Sequence, residues 1–132
     1  MDPTPTLIDA FKGNPTWMSL ALMMGCAGFT VTVIAIVLVA KKIRGAALFS
    51  ALTATGLGAL AIAAGLTGMI RGHALTDEAA STPGLSATDR VRIVAAGGAE
   101  ASWNLKLALA VGSLPLVAGV ALTLASLRLR KS

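Results

Sequence analysis

The feature that most constrains this chain is residues 107–127, a stretch without a single charged side chain. Its 21 residues measure about 31 Å as helix, enough to cross a hydrocarbon core of about 30 Å. Two more apolar stretches precede it. Residues 16–40 open with Trp17 and are followed by Lys41, Lys42 and Arg44, the interfacial aromatic and basic stop that flank a span. Residues 46–70 follow after a short basic connection, so the first two spans are expected to form an antiparallel hairpin. Only 13% of the residues are charged and 55% are hydrophobic, whereas soluble domains carry about 25% charge. The expected fold is an all-α membrane protein, one domain over residues 1–132, with spans near 16–40, 46–70 and 103–127. An outer loop, 71–102, leads into a long third helix.

The helices carry many Ala and Gly and few aromatic residues. Small side chains let helix backbones approach closely inside a bilayer. Residues 46–70 and their flank hold Gly65, Gly68 and Gly72, with Gly68 and Gly72 in a GxxxG spacing and Ala64 and Gly68 as a second small pair. Packing is the plain role for them; a polar path lined by Thr53, Thr55 and Thr67 is the sharper one. Pro115, inside the third span, removes a backbone hydrogen bond and is expected to kink that helix.

Residues 1–15 hold Pro3, Pro5 and Pro15 around a short amphipathic piece, Leu7, Ile8, Ala10 and Phe11, which reads as a surface turn of helix. In the outer loop, Thr82-Pro83-Gly84 signals a turn and Ser86 with Asp89 resembles a capping box that starts a helix. That helix runs toward the third span through Gly97-Gly98.

Basic residues fix the expected orientation. Lys41, Lys42, Arg44, Arg128, Arg130 and Lys131 lie on one side, against Lys12, Arg71, Arg90 and Arg92 on the other, which also holds all the acidic residues. Short positive loops mark the cytoplasm, so the N-terminus is expected outside and the C-terminus inside a bacterial inner membrane. A cysteine placed at Ser81 is therefore expected to react with an impermeant thiol reagent added outside, and one at Ser132 is not. The reverse labelling would overturn this orientation.

Most catalytic classes find no residues here. There is no Ser-His-Asp set, no pair of carboxylates within a span and no phosphate loop, so neither an enzyme nor a cofactor is expected. Cys26 has no partner for an intrachain disulfide, and His73 has no grouped metal ligands around it. The net charge of +5 comes from residues at span ends, so it reports orientation rather than nucleic-acid binding. What remains is Glu100, Asn104 and Lys106 at the outer mouth of the third span. Glu100 and Asn104 share a helix face; Glu100 and Lys106 do not. Ionisable groups at such a site default to a functional role, against which stands an interfacial Lys106 that reaches out to water.

Gly97-Gly98-Ala99-Glu100-Ala101, with the later Leu114-Pro115-Leu116, is similar to the opening of the last transmembrane helix in the MotA/TolQ/ExbB family of ion-driven motor subunits. Ala64-Gly65-Leu66-Thr67-Gly68-Met69 resembles the motif that ends the family's preceding helix. The resemblance covers residues 46–130, and its threonine positions fall here on Gly65 and Leu105. It implies three spans, a homo-oligomer, a pentamer in the family, and a single-span partner carrying an intramembrane aspartate. The function so implied is an inner-membrane subunit of an ion-driven motor or energy-transducing complex, with Glu100, Asn104, Lys106 and Thr67 at the ion path or its mouth. The alternative is a non-conducting accessory subunit of a larger membrane complex. A small drug-efflux transporter fits less well, because no Glu lies in mid-span.

Overall fold

The computed structural model describes residues 5–129; Pro3 at one end and Arg130, Lys131 and Ser132 at the other lie outside them. Four helices follow in order: α1 (Leu7–Gly13), α2 (Pro15–Ala40), α3 (Arg44–Ala80) and α4 (Ala87–Arg128). Three of them, α2, α3 and α4, are long and apolar enough to cross a membrane. The connection 71–102 is helical over most of its length, because α3 continues ten residues past Ile70 and α4 begins at Ala87. Only residues 81–86 leave helical geometry there.

Each helix end has a local cause. Thr6 caps α1 by accepting from Asp9 N–H while Asp9 accepts from Thr6 N–H, a complete capping box. Ser86 caps α4 by accepting from Asp89 N–H at 3.1 Å, as the spacing of those two residues predicts. Between α2 and α3, Lys42 takes the left-handed conformation at φ 57°. Lys42 N–H donates to Val39 O and Ile43 N–H to Leu38 O, the two bonds of a Schellman ending in which glycine usually takes the left-handed position. A lysine there carries a backbone cost of about 1 kcal/mol that glycine avoids. Lys42→Gly is expected to raise stability by about 0.5–1 kcal/mol, read from reversible unfolding in mixed micelles. The turn between α3 and α4 uses Gly84 at φ 90°, where a side chain would be strained.

Packing inverts the habit of water-soluble proteins. The buried positions are small: Ala47, Ala51, Ala54, Gly58, Ala61, Gly65 and Gly68 form one stripe on α3, spaced three and four residues apart. Large side chains such as Phe49, Met23 and Val117 point outward. In lipid there is no gain from hiding them, and association depends instead on close contact between helices. α3 meets α4 along its whole length through Gly58 on Gly112 and Leu116, Gly65 on Ala108, Gly72 on Ala101 and Gly119 on Ala51 and Thr55. α2 joins both: Gly25 lies against Val111, Gly28 against Pro115 and Leu57, and Trp17 against Gly68.

Pro115 is buried and α4 stays helical through it. Its ring packs on Gly28. The Val111 carbonyl, which proline deprives of its usual donor, lies against Gly25, where an added methyl would stand 3.0 Å from that oxygen. Close approach of a neighbouring helix is how such a carbonyl is accommodated inside a bilayer.

Candidate functional site

Buried polar side chains along the bundle are satisfied locally. Thr32 donates to Gly28 O at 2.7 Å and Ser126 to Leu122 O at 2.8 Å, each on its own helix. Asn104 is the exception. It is 1% exposed; its Nδ2 donates to Ala101 O at 3.2 Å, but its Oδ1 has no donor. That oxygen lies against Gly68, so near that a methyl added to the glycine would stand 2.7 Å from it. At the backbone of the same glycine, Asn14 Nδ2 donates to Gly68 O at 3.4 Å. One glycine of α3 thus meets an amide from the start of α2 and an amide from α4.

Above this point α1, α3 and α4 enclose a cleft of about 420 Å3, lined among others by Asn14, Arg71, Thr76, Glu100 and Asn104. Glu100 is half-buried, and a methyl added to Gly13 would stand 3.3 Å from its Oε2. Arg71 and Glu100 bring opposite charges to the cleft, yet neither forms an ion pair or hydrogen bond among the described residues. Leu75, Ile93 and Ala96 supply its apolar wall. Segment and helix are tied together beside it by Trp103 Nε1, which donates to Pro5 O at 3.2 Å. At the start of α1, the backbone N–H and hydroxyl of Thr6 hold the Asp9 carboxyl below its ordinary range.

The residues singled out from the sequence separate into two groups. Glu100 and Asn104 share the cleft, and Gly65, Gly68, Gly72 and Pro115 sit at helix contacts. Thr67 and Lys106 do not join them. Thr67 is exposed and donates to Ala63 O at 2.8 Å on its own helix. Lys106 is exposed too, with Nζ 5.0 Å from the centre of the Trp103 ring, a cation held over an aromatic face. Six positions from Glu100 place it on another side of α4, as the helical period requires.

Asn14, Arg71 and Thr76 were missed by sequence reasoning. Arg71 carried one signal, as the first charge after residues 46–70; Asn14 carried none. Among the described residues, no group of three or more His, Cys, Asp or Glu side chains could hold a metal ion. No protein-family model, curated protein or solved structure matches this chain.

Proposed function

We propose that this chain is a three-span subunit of a larger bacterial inner-membrane complex and moves no ions by itself. The reading is carried by the seam between α3 and α4. From Ala51 to Ala101 it is closed by small residues and backbone, with Gly58, Gly65, Gly112 and Gly119 each meeting the facing helix. A cation crossing there would find no continuous polar lining, and a bare ion in such surroundings is very costly. Lys106 and Thr67 lie outside the seam, and Lys106 takes the pose of an interface anchor over Trp103.

In this reading α2 and α3 form an antiparallel hairpin, the N-terminus faces outward and the C-terminus the cytoplasm. The outward-facing apolar side chains are covered by lipid, by further copies of the chain or by a single-span partner. A second reading, an energy-transducing subunit of the MotA/TolQ/ExbB kind, is favoured by one observation: Glu100 and Asn104 line one cleft at the end of the apolar stretch. Conduction would then run between chains, with a partner's aspartate beside the cleft.

Proton leak in liposomes separates the two. Wild type is expected to leak no more than empty vesicles, and Lys106→Met is expected to leave both the leak and the co-purifying chains unchanged. The stability cost of that substitution is about 0.5–1 kcal/mol, the worth of an exposed cation over an aromatic ring. A proton flux that rises in Lys106→Met would sink the non-conducting reading and favour the motor.

A further inference from the structure

We propose that the cleft between α1, α3 and α4 binds the phosphoethanolamine headgroup of a membrane lipid. Arg71 and Glu100 line the same cleft, and neither has an ion-pair or hydrogen-bond partner among the described residues. A site that offers one cation and one anion, unpaired with each other, is complementary to a ligand that also carries one of each. The guanidinium presents its fork of N–H donors to a phosphate. The Glu100 carboxylate faces the ammonium.

Location selects a lipid over other zwitterions. Arg71 is the first charged residue after the uncharged residues 45–70, and Trp103 follows Glu100 by one helical turn. Both mark the level where hydrocarbon gives way to water. At that level α1 presents Leu7 and Ile8, 40% and 66% exposed, the disposition of a short helix lying in the interface. The volume of about 420 Å3 falls in the range of small-ligand sites. Leu75 and Ile93 on its wall suit a glycerol backbone and the first methylenes of the chains.

Hydrogen bonding selects ethanolamine over choline. Glu100, half-buried in the wall of the cleft, is an acceptor for which the described residues supply no donor. A primary ammonium brings three N–H groups; a trimethylammonium brings none. An anionic glycerol headgroup would satisfy Arg71 and leave Glu100 unanswered. The assignment holds whether or not the chain conducts, because it needs only that the cleft sits at a membrane surface.

The test uses the full chain, purified in mild detergent, stripped of lipid and titrated in native mass spectrometry with phosphatidylethanolamine, phosphatidylcholine and phosphatidylglycerol of matched acyl chains. Wild type is expected to retain phosphatidylethanolamine about tenfold better than either competitor, the scale of one charge-assisted hydrogen bond. Glu100→Gln should bring the ethanolamine-to-choline ratio close to one, while Arg71→Gln should weaken both lipids together. Arg90→Gln, outside the cleft, should change neither. Ala96→Trp, on the exposed wall, should block all three lipids with helicity unchanged, so that loss of binding is separated from loss of fold. Equal retention of the two zwitterionic lipids by wild type, a Glu100→Gln chain that keeps its preference, or a preference for phosphatidylglycerol would each overturn the proposal. Displacement of the lipid by an equal concentration of soluble phosphoethanolamine would also overturn it and assign the cleft to the free zwitterion.

Discussion

Gly58→Ala is expected to lower the unfolding free energy by about 1–3 kcal/mol, the usual cost of forcing one extra methyl into a packed interior. The added carbon would stand 2.6 Å from Leu116 N, 2.7 Å from Gly112 O and 3.0 Å from Leu116 Cα. All three are backbone atoms, so no change of rotamer relieves the overlap. α3 and α4 must move apart, and because the same seam continues through Gly65 and Gly119, neighbouring contacts loosen with it. Gly56→Ala is the matched control. Nothing lies within 4 Å of a methyl at Gly56, and alanine is favoured over glycine in a helix by about 1 kcal/mol. Reversible unfolding in mixed micelles should therefore move in opposite directions for two glycines two residues apart. Equal effects would mean that α3 does not meet α4 through this face.

Asn104→Asp is expected to cost about 3–5 kcal/mol, because it buries a charge with no partner. The buried oxygen at this position already lacks a donor and lies against Gly68 of α3. Asn104→Ala should cost much less, about 1–2 kcal/mol: it gives up the bond from Nδ2 to Ala101 O and removes the unsatisfied acceptor along with it. The comparison is made by the same unfolding assay, with helicity checked by circular dichroism. If the aspartate variant were as stable as the alanine variant, water would have to reach the inner end of the cleft. The bundle would then be more open at that point than the 1% exposure of Asn104 implies.

Pairing within one helix is legible in the sequence, and pairing between helices is not. Glu100 and Asn104 are four residues apart, so the helical period alone places them on one face, and they do share the cleft. The Ser86 and Asp89 cap is readable for the same reason, since its hydrogen bond closes over three residues. Asn14 and Gly68 lie 54 positions apart, and no local rule connects them. The chemistry of Lys106 and Thr67 suggests a place at the site. Each sits on an outward face of its helix, and only the packed bundle shows which face is outward.

The same division explains the glycines. Uncharged stretches long enough to span a bilayer, the basic residues at their ends and the wealth of small side chains determined, from the sequence by itself, that this chain is built of apolar helices that pack closely. Hydropathy has nothing further to say, because inside and outside faces are equally apolar when the surroundings are lipid. Which small residues lie at a contact depends on the rotation of each helix about its own axis, and tertiary packing alone decides that. Gly58 meets backbone while Gly56, two residues away, meets open space, since two positions along a helix turn the side chain more than halfway round.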